Sequence, residues 1–399
     1  MKEAIPMNNS LNTSPETAHA IIEDPAALLQ DLVRIDSVNP GLVPGAAGEA
    51  AIASFTASWL ESRGFEITRL ESTPDRPSIV AVAPGTGNGK TLMFNGHLDT
   101  VTLAGYDGSP LEPKIEDGRM YGRGTFDMKA GIAAMMVAAA SAAARPHRGD
   151  IIVALVADEE FASAGTEEVL RHFTADAAVI SEPSHEDIVI AHRGFAWIDV
   201  TVHGVAAHGS RPDLGIDAIA KAGRFLTGID DLARSLQRGP SHSILGRGSI
   251  HASLIRGGEE LSSYPAQCTI SVERRTVPGE SADTFESELA AILDGIAATD
   301  PDFRYTLARG LERHPFEVPS AEPIVLSVLS AAEAVNGKVP VLRGEPFWTD
   351  AALMLEAGIP GLLFGVDGGG AHAATEWIEL DSLDRVSRIL ALTAVNFCN

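Results

Sequence analysis

The stretch DIIVALVADEEFASAGT, residues 150–166, decides the fold. From Ile151 to Ala157 every residue is apolar, and then Asp158, Glu159 and Glu160 arrive together before a turn containing Gly165. A run this apolar leaves no side for water, so it reads as a strand covered on both faces, as in a parallel sheet flanked by helices. The pattern recurs outward from it. SIVAVA at 78–83, TLMFNG at 91–96 and AAVIS at 177–181 are short buried-strand runs, with FEITRL at 65–70 a further β-rich one. Residues 24–35 and 48–63 show helical spacing of apolar positions, and a helix of very small residues follows Asp127. Strands alternating with helices predict an α/β domain on a mostly parallel sheet.

Near residue 192 the pattern changes. FAWIDVTVH at 195–203 alternates like a half-exposed strand, a helix fits 215–236, and strands fit 249–257 and 266–275. A second helix fits 280–296 and a last strand 303–308. That β-α-β-β-α-β order predicts a small α+β sandwich of the split-βαβ, ferredoxin-like kind. From about 313 the α/β style resumes, with helices near 321–335 and 381–397 around GLLFG at 361–365. The expected organisation is one discontinuous domain, residues 1–191 and 313–399, interrupted by an inserted domain at 192–312.

Five places could carry chemistry. FNGHLDTV at 94–101 ends an apolar strand on His97 and Asp99, two apart and so on one face of an extended chain. A ligating imidazole commonly needs a carboxylate or carbonyl partner, although a surface His and Asp in a turn fit the same letters. YGRGTFDMKAG at 121–131 surrounds Asp127 with glycines before a helix; alone, it reads best as a helix N-cap. The ADEE acids sit where α/β sheets hold ligands, and crowding them is costly without a cation. ISEPS at 180–184 delivers Glu182 from another buried strand, and GVDGGGAHAATEWIEL at 365–380 brings His372 after a glycine loop. A lone His is more often a structural hydrogen-bonder. The coincidence shifts the reading: two histidines and three acids on one sheet edge suit two zinc-class ions.

Other classes are disfavoured. With 30 basic and 54 acidic residues the net charge is −24, which argues against nucleic-acid and anionic-membrane partners. No apolar run reaches the roughly 18 residues a membrane helix needs; the longest candidate is Gly131–Ala144. The first 20 residues are polar, read as frayed, and lack a signal-peptide core, so a cytoplasmic setting is expected. Cys268 and Cys398 form no CxxC pair and make no disulfide framework. GTGNGKT at 85–91 has Pro84 where a phosphate loop needs glycine and precedes a strand. GGGAH lacks a nucleophile elbow.

GHLDTV, GRGTFDMKAG, ADEE, SEPS and GGGAH together resemble the M20 metallohydrolases, the group of acetylornithine deacetylase, succinyl-diaminopimelate desuccinylase, aminoacylase and carboxypeptidase G-type enzymes. The similarity runs in family order over nearly the whole chain after about residue 25. It implies that His97 and Glu182 hold one metal, Glu160 and His372 the other, with Asp127 bridging. It implies Glu159 as general base and proton donor, and Asp99 as the carboxylate behind His97. The ions would be zinc first, with cobalt or manganese as alternatives. The resemblance further implies that the insert is a lid and dimerisation domain, so that the protein is a homodimer. In VHGVAAHGSRP at 202–212, His208 matches a family histidine that helps stabilise the oxyanion, often in the partner subunit's site. In VERRTVPGE, Arg274 and Arg275 face opposite sides of a strand, and Arg275 aligns with the substrate-carboxylate binder. Two departures, Ser262 in place of a family Asn and Val366-Asp367-Gly368 in place of Gly-Pro-Gly, leave the substrate open. The implied reaction is hydrolysis of an N-acyl amino acid or related small amide through a metal-bridging water. A dipeptidase or glutamate-type carboxypeptidase is the alternative within the class, and a metal-binding homologue without catalysis the alternative outside it.

Overall fold

The computed structural model describes residues 21–399, so the segment read as a frayed N-terminus lies outside the described residues. Two compact units emerge: the described part of Met1–Ile188 with Pro319–Leu342 and Leu353–Asn399, and a second of Val189–Val318 with Arg343–Ala352.

The first unit begins with α1 (Pro25–Arg34) and α2 (Ala50–Glu61). Asp24 caps α1 by accepting from the Ala26 N–H, and proline opens the helix where its missing donor costs nothing. Then come β1 (Glu66–Leu70), β2 (Ser78–Ala83), β3 (Leu92–His97), the short pair β4 (Lys114–Glu116) and β5 (Arg119–Tyr121), α3 (Ala130–Ala143), β6 (Ile151–Val156), α4 (Ala164–His172) and β7 (Ala177–Ile180). Helix α3 is buried from Ala130 to Ala142, which its all-round apolar surface requires. It packs on α1 and β6. One segment of the described residues, Thr125–Ala143, is long and apolar enough to cross a membrane, and 89% of its most apolar window is buried inside the protein. It is longer than the Gly131–Ala144 run read from the sequence because it takes in the turn Thr125–Lys129 before α3, which carries Asp127 and Lys129.

The second unit holds β8 (Ile188–His192), β9 (Gly194–His203), α5 (Ala218–Leu236), β10 (Ser249–Gly257), β11 (Gln267–Thr276), α6 (Ala282–Ala297), β12 (Arg304–Arg313), β13 (Phe316–Glu317) and β14 (Leu342–Glu345). Its sheet runs β10-β11-β9-β12, antiparallel throughout, with α5 and α6 supplying the other face of the core. Strand β9 alternates as its sequence suggests: Ala196, Ile198, Val200 and Val202 enter the core beside Phe225 and Phe285. The unit is wider than residues 192–312 because β8 pairs with β13 and β14, carrying chain from both flanks with it.

The chain completes the first unit with α7 (Pro323–Asn336), α8 (Ala351–Glu356), β15 (Gly361–Leu363), β16 (Gly368–Gly369), β17 (Trp377–Glu379) and α9 (Leu380–Phe397), which covers α3. Six of its strands run β1-β2-β6-β3-β7-β15. The centre, β6-β3-β7-β15, is parallel, and β1 and β2 join antiparallel at the edge. A second small sheet, β16-β17-β5-β4, ties residues 114–121 to 368–379.

Candidate metal centre and its supports

Three neighbouring parallel strands end together. In register, His97 of β3 lies beside Val156 of β6, and Asn95 of β3 beside Ile180 of β7. The residues just past these strands, Asp158 to Glu160 and Glu182, therefore gather at the carboxyl edge around His97, where open α/β sheets place their ligands. Asp127 comes from the turn before α3, its peptide to Met128 in cis. It is not the cap of that helix: α3 starts at Ala130, and Asp127 turns to the histidines instead. Lys129 holds this turn from behind, its buried Nζ donating to the Leu32 and Ile35 carbonyls at 3.0 and 2.8 Å at the end of α1. Burial pulls its pKa down to about 8.

The predicted ligands meet. His97 Nε2 lies 3.1 Å from Asp127 Oδ1 and 3.7 Å from Glu182 Oε1. His372 Nε2 lies 3.4 Å from Asp127 Oδ2 and 3.2 Å from Glu160. Asp127 is thus common to two groups, His97–Asp127–Glu182 and Asp127–Glu160–His372, each with its ligand atoms within 4.8 Å. His372 takes a left-handed backbone (φ 60°) behind Gly370, where a Cβ would sit 1.9 Å from the Thr375 carbonyl. Only glycine permits that closure.

The charges are mutually dependent. Burial opposes a charge on His97, but Asp127, Glu182, Asp99 and Glu159 outweigh it and hold its pKa well above the ordinary imidazole value. Hydrogen bonds to Asp127 and Glu160 push His372 up to about 10. Burial would raise Asp127, yet His372 and His97 hold its carboxyl well below the usual range. Glu160 is raised by burial and by the Asp127 charge. Protons on the two imidazoles would offset part of the charge of these carboxylates. Divalent cations suit the same places, because imidazole nitrogen and carboxylate oxygen are the donors zinc-class ions prefer.

Asp99 has more contacts than its place behind His97 suggested. His97 Nδ1 faces the Asp99 main-chain oxygen at 2.9 Å, with the carboxylate at 3.7 Å. The carboxylate accepts from the N–H groups of Glu159 (3.2 Å) and Glu160 (3.1 Å) and from Asn39 Nδ2 (2.7 Å). Asp158 allows this by turning left-handed (φ 72°), a conformation short polar side chains tolerate. Arg76 braces the turn, donating to Asp158 at 2.8 Å and to the fully buried Glu49 at 2.5 Å.

His208 and Arg275 belong to the second unit. His208 is exposed, its Nδ1 accepting from the Ser210 N–H at 3.2 Å, and its loop pairs with the one carrying Ser262 through the Gly209 N–H. Of the arginine pair, Arg274 is buried against Glu280 and Glu288. Arg275 is half exposed over Phe195 and bonded to Glu273 at 2.9 Å. Sequence reading missed Asn39, Glu49, Arg76, Arg123 and Glu376. Glu376, four residues after His372, and Arg123, four before Asp127, stood near enough to a chosen residue to attract notice.

Strand order and donor set fit a hydrolase of the two-metal kind. The model of peptidase family M20/M25/M40 matches residues 93–396. An acetylornithine deacetylase of Myxococcus xanthus is 29% identical over 393 residues, 93% of this chain and 97% of that one. A succinyl-diaminopimelate desuccinylase of Methylobacterium nodulans is 30% identical over 385 residues, 92% and 94% of the two chains. Among solved structures, aminopeptidase PepT of Bacillus cereus matches with a TM-score of 0.77 at 20% identity, over 94% of this chain and 98% of that one, a likeness of fold. The chain belongs to peptidase family M20/M25/M40, and it is an enzyme that hydrolyses amide bonds.

Proposed function

We propose that the protein removes the acyl group from an N-acyl amino acid or a related small amide. The observation that carries this is the sharing of Asp127 by two ligand groups, with Glu159 adjacent to ligand Glu160. The deacetylase and desuccinylase relatives support the substrate class. His97 and Glu182 would hold one divalent ion, Glu160 and His372 the other, and Asp127 both; zinc is the first choice, cobalt and manganese the alternatives. Such ions supply an activated water at neutral pH and polarise the scissile carbonyl. Glu159 takes the proton from that water on its carboxylate and passes it to the departing nitrogen. Asp99, through the Glu159 and Glu160 N–H groups, sets where that carboxylate stands. His208 is assigned to the oxygen that gains charge and Arg275 to the substrate carboxylate, both from the inserted domain at 192–312.

A homodimer is part of the proposal. Strand β10 is an edge of its sheet and exposes Leu254 and Ile255 by 52% and 53%. Edges of this kind are ordinarily covered. Light scattering tests it, and a monomeric mass would contradict it. The cytoplasm is the proposed setting, consistent with two buried free cysteines and testable by fractionation. The substrate test is hydrolysis of N-acetyl, N-succinyl and N-carbamoyl amino acids beside dipeptides, on metal-loaded protein. Preference for an N-acyl amino acid is expected. Preference for dipeptides would replace the proposal with a peptidase, and inactivity on all of them would leave a binding protein.

A further inference from the structure

Glu376 is 1% exposed, in the loop that carries His372 toward β17. Its carboxylate is filled almost entirely by one short turn. Oε2 accepts from Arg123 Nη1 and from the Gly124 N–H, both at 2.9 Å. Oε1 accepts from the N–H groups of Phe126 at 2.9 Å and Asp127 at 3.0 Å. Arg123 closes the bracket, donating from Nη2 to the Ala373 carbonyl at 3.0 Å and from Nε to the Thr102 carbonyl at 3.2 Å. The turn bearing Asp127 and the loop bearing His372 are thereby one hydrogen-bonded piece. A carboxylate is buried this deeply only when its lone pairs are met. Here one of the donors meeting them is the main chain of the residue common to both ligand groups.

We infer that Glu376 is a positioning residue for the metal centre: by holding the Asp127 main chain it sets the affinity for both ions. This rests on Asp127 being the shared ligand. Outer partners of ligating groups commonly change metal affinity by about 10- to 100-fold when altered. In Glu376→Gln an amide NH₂ would face N–H donors that now meet an oxygen.

The experiment is zinc binding to metal-depleted full-length protein, by competition with a chromophoric chelator, alongside its melting curve. Glu376→Gln is expected to bind both equivalents about 10- to 100-fold more weakly. Glu379→Gln, three residues further on in β17, removes the 2.8 Å pair with Arg119 of the neighbouring β5 and is expected to keep wild-type affinity. Equal weakening in Glu379→Gln would mean that any damage to this sheet suffices, and would overturn the inference. So would wild-type affinity in Glu376→Gln. Should that variant not fold, Glu376→Asp keeps the charge, shortens the reach by one methylene and carries the same readout. Asp127→Asn separates the two levels. Retention of both ions there would sink the shared-ligand reading itself, whereas its loss of zinc beside an unaffected Glu376→Gln would sink only this inference.

Discussion

At Asp99 one carboxylate meets the N–H groups of two successive glutamates and the amide of Asn39, while its own main-chain oxygen orients His97. The residue couples a proposed ligand to the proposed base. Replacing it by Asn turns one acceptor oxygen into a donor against N–H groups. Turnover of Asp99→Asn is expected to fall about 10- to 100-fold, in a steady-state assay, with the protein still folded by circular dichroism. Unchanged turnover would show that the contacts are incidental. Glu159→Gln removes the proton carrier and leaves the ligands, so turnover should drop about 10²- to 10⁴-fold, the ordinary worth of general acid–base catalysis. Metal analysis on the same sample should still find wild-type content. The residues proposed as ligands were legible because strands and glycine turns deliver them to one place. Arg76 and Glu49 were not, because what makes them relevant is an ion pair across 27 residues, and local spacing carries no trace of it.

Among the elements, two strands fall where the sequence places them: β2 and β10 occupy the residues predicted for them. The strand predicted at 303–308 runs to Arg313, since an irregularity between Arg309 and Glu312 breaks the alternation without ending the pairing. Strands of two or three residues, such as β16 and β17, are too short to show a period at all. Helix α3 meets the end of β7 at Gly131, where a Cβ would lie 2.0 Å from the Ser181 carbonyl, next to Glu182. Gly131→Ala must push helix and strand apart. Overpacking of this kind costs about 1–3 kcal/mol, to be read from the denaturant midpoint, and a stability equal to wild type would contradict the close approach. His192 on β8 is buried against Phe316 and Trp348, and burial pushes its pKa down to about 4. The unfolded chain binds the proton near 6.5, so this group's contribution is complete above that pH. It is lost as pH falls toward 4, with a slope of up to about 1.4 kcal/mol per pH unit. His192→Leu should flatten that slope in acid unfolding curves, and an unaltered slope would assign the acid sensitivity elsewhere.

For the whole molecule, the sequence order of an interrupted α/β domain was readable because patterning switches near residue 192 and back near 313. The strand exchange among β8, β13 and β14 was not, since short pairings between distant segments leave no periodicity. The acids of the pocket keep hydrogen-bond partners in His97, His372 and the main chain without ions, so chelation should abolish activity and leave the fold intact, checked by far-ultraviolet circular dichroism before and after. The most direct measurement follows from that preparation. Metal-depleted protein is titrated with zinc while bound metal and hydrolysis of an N-acyl amino acid are followed together. Turnover absent at the start and saturation at two ions per chain are predicted. Undiminished turnover in the presence of chelator, or saturation at a single ion, would contradict a centre in which Asp127 serves two.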